Sequence, residues 1–212
     1  MIGNDIIDLR DPDADFATYS PRFDERVFGP FERHAIEADR DPEACRWRTF
    51  AAKEAAYKAL RKIDSQATFS PRRLEVAIQS GDPLRALVID RGTPKSRGTF
   101  EVRFFADESC VHAIALHSEW DASRLVYGSR RTEAIALGGP GADVPGQAVR
   151  LLACEKIAEA MGIAEKELEI RKRDRIPFLL AGGVPVSGNL SLSHHGAFVG
   201  FAFEWEFAEA TA

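Results

Sequence analysis

Small residues within one helix constrain this chain more than any other feature. The stretch WRTFAAKEAAYKAL, residues 47–60, carries alanine at positions 51, 52, 55, 56 and 59. Asp41-Pro42 supplies an N-cap and a first-turn proline, so the spacing predicts a helix running from there to about Arg61 or Lys62. Trp47, Phe50, Ala51, Ala55 and Leu60 recur at helical spacing and give it an apolar face. Side chains this small let a second element, or a ligand, approach the helix closely. Glu54 and Lys58 stand four residues apart and share a face one turn apart. Taken alone they read as an exposed ion pair worth about 0.3–0.5 kcal/mol.

Around this helix the pattern changes to short strands. Residues 2–9 read as a strand in which Ile2, Ile6, Ile7 and Leu9 are interrupted by Asp5 and Asp8. Residues 11–20 are rich in Asp, Pro and Ser and read as a loop. Residues 22–38 have a loose helical pattern that Gly29-Pro30 splits into two short helices. Residues 74–78, 86–90, 99–104 and 110–117 read as strands. In the last of these, Val111, Ala113 and Ala115 alternate with His112, Ile114 and Leu116, which predicts one buried and one partly buried face. Residues 128–146 include GGPGADVPG and read as a linker. Beyond it, residues 147–161 read as a helix ended by Gly162, and residues 168–171, 177–180, 189–193 and 198–204 as strands. Each half is a helix followed by strands, an α+β pattern. The expected organisation is a subdomain over residues 1–127, a linker over 128–146 and a second subdomain over 147–212.

Composition narrows the function classes. A net charge of -5 argues against a nucleic-acid partner, because duplex binders usually carry a basic surplus. The N-terminal MIGNDIIDLRDPD is acidic and has no long apolar core, unlike a signal peptide. No apolar run approaches the roughly 20 residues of a membrane span, so no membrane partner is expected. Cys45, Cys110 and Cys154 lie far apart without metal-ligand spacing and read as reduced, buried thiols of a cytoplasmic protein.

Four groups of residues can carry chemistry. Asp5 sits in an apolar strand, where a carboxylate needs a partner. It is either a strand-end cap or, with Glu54, half of an oxygen site suited to magnesium. Ser191–Gly196, SLSHHG, is either a polar strand end or a set of donors to an anion. Arg150, Arg171, Lys172, Arg173 and Arg175 are either a solvated basic group or a site for several phosphates.

Together these residues resemble one family, the 4′-phosphopantetheinyl transferases. In that family a GxDI strand precedes a WxxKEAxxK helix; here the strand is Gly3-Asn4-Asp5-Ile6, and the helix holds Lys53-Glu54-Ala55 and Lys58. Phe50 stands where the family usually has Trp or Phe. The resemblance implies two similar α+β subdomains forming a pseudo-dimer with one active site between them. The second half, with Arg150, Arg175-Ile176-Pro177 and NLSLSH, looks like the coenzyme A-gripping half of the larger, surfactin-synthetase type, so the halves are expected in permuted order. Three positions depart from the family pattern. Ile7 replaces a third acidic metal ligand, leaving a shell like that of the holo-acyl-carrier-protein synthases. Arg-Ile-Pro replaces Gly-Lys-Pro. Phe104-Phe105-Ala106-Asp107 occupies the place of an SxSH strand in the first half.

The resemblance further implies transfer of the phosphopantetheine arm from coenzyme A to a serine of an apo carrier protein. Asp5 and Glu54 would hold magnesium, with manganese as the alternative. Glu54, directly or through a metal-bound water, would take the serine proton, and Lys58 would neutralise a phosphate oxygen. Ser193 and His194 would bind the pyrophosphate or the 3′-phosphate. Arg150 and Arg175 are candidates for the 3′-phosphate, and Pro177 would pack near the adenine. A fused pseudo-dimer supplies both walls of the site, so a monomer is expected. The competing expectation is a degenerate homologue that binds coenzyme A or a carrier protein without transferring anything.

Overall fold

Strand β1 (Ile2–Asp8) crosses the long helix and sets the architecture of the first half. A computed structural model describes residues 1–15, 22–92, 98–106, 109–117, 121–132 and 144–205. Two short helices follow β1, α1 (Arg22–Val27) and α2 (Pro30–Ala38), then α3 (Pro42–Ile63). Gly29-Pro30 separates the first two, as the sequence predicts. Asp41 Oδ1 accepts the Ala44 N–H at 3.0 Å and caps α3, whose Pro42 is its first residue.

Four strands complete the first unit: β2 (Leu74–Gln79), β3 (Arg85–Asp90), β4 (Thr99–Ala106) and β5 (Cys110–Leu116). They form an antiparallel sheet in the order β1-β5-β4-β3-β2, with Asp5 opposite Ala113 in the register. Trp47, the five alanines and Leu60 of α3 pack on one face of it, against Ile7, Val111, Ala113 and Ala115. β5 is buried on both faces, where the alternation predicted one face only partly buried. Its second face, Ile114 and Leu116, is covered by Ile2 and by Ala202 of the other unit.

The second unit opens with β6 (Leu125–Arg131), which overlaps the stretch read as linker. LVYGSRR has a glycine and two arginines beside a glycine-rich run, which obscures its strand character. The ladder to a later strand supplies what the local pattern lacks. Residues 133–143 of that stretch lie outside the described residues, as does Asp107. Helix α4 (Val144–Met161) follows, ending at Gly162 with φ 66°. Then come β7 (Leu168–Arg173), β8 (Ile176–Ala181), β9 (Val184–Pro185), β10 (Gly188–His195) and β11 (Phe198–Trp205). The sheets are β10-β11-β6 and β7-β8-β9.

The two units share one plan. In each, the opening strand pairs antiparallel with the last strand, the last two long strands are neighbours, and the two strands after the helix form a hairpin. The fold is α+β, and the units meet where β1 lies against β10 and β11.

Candidate active site

Close packing of β1 on α3 brings the charged residues together. A Cβ on Gly3 would fall inside the Ala55 carbonyl oxygen and 2.7 Å from the Ala59 amide nitrogen. Only glycine on the strand and alanine on the helix allow that approach. The same approach puts Lys58 Nζ 2.8 Å from Asp5 Oδ1 and 3.0 Å from the Asn4 carbonyl. Glu54, one turn back on α3, lines a cavity of about 220 Å³ with Asp5, and His194 and His195 of β10 line it too. Phe23, Trp47 and Phe50 add an aromatic wall. Burial first, and then the Asp5 carboxylate, push the Glu54 carboxyl up to about 7 against the opposing pull of Lys58.

The second unit docks on the outer edge of β1, largely through side chains. Ser191 Oγ accepts the Asn4 N–H at 2.9 Å, and His195 Nδ1 accepts the Asp8 N–H at 3.2 Å. Lys62 Nζ donates to the Ile2 and Leu190 carbonyls, 2.7 Å each, and so bridges the units. Burial lowers this ammonium to about 7 despite the nearby Glu204. An edge strand's unpaired backbone groups need partners, and these side chains provide them. Asn4 Nδ2 donates to Ser193 Oγ at 2.7 Å and lies 3.0 Å from His112 Nε2. His112 is buried and held neutral, its value lowered to about 3 by burial and then by Lys58.

Asp5, Glu54, Lys58 and His194, singled out from sequence, converge here. Ser193 is buried behind the cavity, its hydroxyl bonded to Asn4 and to the Gly200 carbonyl. Arg150 lines a different cavity, between α4 and β7, and donates to the Gly146 carbonyl. Arg175 is exposed in the β7–β8 turn, with φ 68°, and Pro177 pairs with Lys172 in that hairpin. None of these three lines the Asp5–Glu54 cavity.

Sequence reasoning gave no role to Asn4, Lys62 or His112, and read His195 only as one member of the SLSHHG stretch. The signal for Asn4 and His112 was a lone polar residue inside an apolar strand, the same signal that drew attention to Asp5. Lys53 of the KEA triplet has a structural task. Its side chain is fully buried, with Nζ 2.7 Å from Glu32 Oε1 and 2.9 Å from the Pro71 carbonyl. It ties α2, α3 and β2 together.

The model of the 4′-phosphopantetheinyl transferase superfamily matches residues 1–119, the whole first unit. The chain belongs to that superfamily. Among curated proteins it is similar to the holo-[acyl-carrier-protein] synthase of Rhizobium rhizogenes, 36% identical over 86 residues, covering 41% of this chain and 64% of that protein. The synthase of Parvibaculum lavamentivorans is 37% identical over 86 residues, covering 41% and 65%. That of Azorhizobium caulinodans is 37% identical over 82 residues, covering 39% and 60%. The chain thus spans less than two thirds of the length of each of these relatives. The superfamily gives the convergence of Asp5, Glu54 and Lys58 its context.

Proposed function

We propose that this chain transfers the 4′-phosphopantetheine arm of coenzyme A to a serine of an apo carrier protein. The products are holo carrier protein and 3′,5′-adenosine bisphosphate. The observation that carries the reading is the pair of carboxylates, Asp5 and Glu54, in a cavity that the second unit completes with His194 and His195.

The donor set suits a hard divalent cation. Two carboxylates line the cavity with the Lys58 ammonium beside Asp5, and burial first, then the Asp5 charge, holds the Glu54 carboxyl up at about 7. An all-oxygen pair of this kind fits magnesium, or manganese in its place. Among the described residues no three His, Cys, Asp or Glu side chains cluster as a larger metal site. Asp5 and Glu54 would hold the ion, which when bound offsets the charge on the pyrophosphate.

The chain's own residues supply the rest. The carrier serine oxygen bonds to the β-phosphorus of coenzyme A, and the bond from that phosphorus to the bridging oxygen breaks. The electron pair leaves with the adenosine bisphosphate. Glu54 is the acceptor of the serine proton. Lys58 spends two donors on Asp5 Oδ1 and the Asn4 carbonyl, leaving its third for a phosphate oxygen. His194, exposed at the end of β10, reaches the same anion from the second unit. Arg150 and Arg175 lie farther out and would meet the 3′-phosphate, with Pro177 beside the adenine. Ser193 acts from behind by holding Asn4.

A cytoplasmic location accords with three free, buried cysteines. No described helix is long and apolar enough to cross a membrane. A chain that supplies both walls of its site works as a monomer, which light scattering on the eluting protein checks. The direct test of function is incubation of the full chain with apo carrier protein, coenzyme A and magnesium, followed by mass spectrometry of the carrier. A gain of one phosphopantetheine is expected. No gain across fatty-acid, polyketide and peptide carriers would refute the transfer reading.

A further inference from the structure

His195 ends β10 and lines the cavity beside Asp5 and Glu54. Its Nδ1 lies 3.2 Å from the Asp8 amide nitrogen. A backbone amide can only donate, so Nδ1 is the acceptor and keeps its lone pair. The proton of the neutral ring is therefore on Nε2, and the main chain of the other unit has chosen the tautomer. Among the described residues no group accepts from Nε2.

Asp8 also clamps the turn that follows His195. Its Oδ2 accepts the Ala197 N–H at 2.9 Å, and its Oδ1 accepts the Arg10 N–H at 3.0 Å. Gly196 between the clamped residues has φ 52°, and a Cβ there would come within 2.6 Å of the Asp8 and Asp11 carboxylates. The turn fits the end of β1 only with glycine. Asp8 is buried, and each of its carboxylate oxygens accepts one of these bonds.

We infer that His195 is a fixed N–H donor to an anionic phosphate oxygen of the ligand in this cavity, and that Asp8 positions it. Under the transferase reading, on which this rests, that oxygen belongs to the pyrophosphate of coenzyme A. The neutral imidazole contributes direction rather than charge. Lys58 supplies the charge from the first unit, and His195 supplies the orientation from the second.

The test uses the full chain labelled with ¹⁵N at histidine. One histidine signal, absent in His195→Phe, is expected to show the Nε2–H tautomer at neutral pH and to shift when coenzyme A is added. In calorimetric titrations His195→Phe is expected to bind coenzyme A about tenfold to a hundredfold more weakly, the loss of one hydrogen bond to a charged group. His195→Gln, which keeps an N–H, recovers most of that, and His195→Ala replaces the Phe variant should that one not fold. In transfer assays KM rises while kcat changes little. Asp8→Ala weakens binding by less than His195→Phe does, and Asp8→Asn, whose amide oxygen still accepts from Ala197 but whose NH2 cannot accept from Arg10, falls between Asp8→Ala and wild type. An Nδ1–H tautomer, an Nε2 signal indifferent to coenzyme A, or equal affinity in the Phe and Gln variants overturns the inference. Failure of the wild-type chain to bind coenzyme A sinks the transferase reading instead. Inorganic pyrophosphate is then the probe, and an unmoved Nε2 signal with it overturns the His195 role as well.

Discussion

In the first unit β1 lies on a face of alanines; in the second, β6 lies on α4 across Val149, Leu152 and Ile157. β1 carries Asp5 and Asp8, whereas β6 carries no carboxylate and ends in Arg130 and Arg131. Each strand is joined to its helix by one ion pair, but the pairs differ in environment. Asp5 and Lys58 are 14% and 30% exposed, while Arg130 and Glu155 are 49% and 41% exposed. The same topology thus produces a solvated surface pair in one unit and a shielded charged site in the other. What separates them is approach distance, set by Gly3 and the alanines, and cover, set by β10. The second unit contributes its strand end to the first unit's site instead of building one of its own.

Substitutions at the carboxylates should break this comparison most severely. Glu54→Gln and Asp5→Asn are each expected to lower the transfer rate by at least about a hundredfold, the scale of a lost general base. The melting temperature of Glu54→Gln should not fall, because it removes one of two repelling carboxylates, whereas Asp5→Asn also gives up the ion pair with Lys58. Glu155→Gln in the second unit should leave the rate unchanged. Steady-state assays on the three variants decide it, and a slow Glu155→Gln variant would show that the second unit has a site after all.

The buried Lys53–Glu32 pair sharpens the contrast in stability. Lys53→Met leaves Glu32 buried without its partner and is expected to cost about 3–5 kcal/mol in urea unfolding. Removing Glu32 as well should return only part of that loss, because Glu32 also accepts the Val76 and Gly29 N–H groups. The exposed Arg130–Glu155 pair should contribute less than about 1 kcal/mol when Arg130 becomes Ala. Gly3→Ala tests the approach distance itself, with an expected cost of about 1–3 kcal/mol from overpacking against the Ala55 carbonyl. Gly128→Ala should cost less, because a Cβ there would meet Phe201 at 3.3 Å, a side chain that can give way.

Much of this was legible in the sequence. The capped helix α3 and the strands after it follow from periodicity and capping, which are local, whereas the Asp5–Glu54–Lys58 grouping follows from the resemblance of two motifs on separate elements to one family. β6 was missed because its strand character comes from pairing with β11, in which Tyr127 stands opposite Ala202, and no local pattern encodes a partner so distant in the chain. The same limit applies to the site. Ser193 looked like an anion donor, but its hydroxyl faces Asn4 across the unit boundary. His195 looked like a second histidine in a polar strand end, and its role depends on the Asp8 amide, which sequence cannot place. Ser193 and His195 bond to β1 across the unit boundary, and it is these bonds, not the residue types, that the sequence left unreadable.

The smallest expected effect is in the pH dependence of stability, and it separates two buried groups of the first unit by sign. Glu54 in the folded chain titrates at about 7, above its ordinary 4.5. The stability linked to it is complete below 4.5 and is lost as pH rises through 7. His112 is lowered to about 3 from 6.5, so its contribution is complete above 6.5 and is lost as pH falls towards 3. Without divalent metal, the wild-type melting temperature should therefore decline between pH 5 and pH 8 relative to Glu54→Gln, by a few °C. Magnesium should reverse that decline, because an ion held by Asp5 and Glu54 favours the ionised carboxylate. Thermal melts of both proteins across this range, with magnesium and with chelator, carry the test. Parallel curves under all conditions would mean that Glu54 is ionised well below 7 and that the first unit's site is no more shielded than the second unit's surface pair.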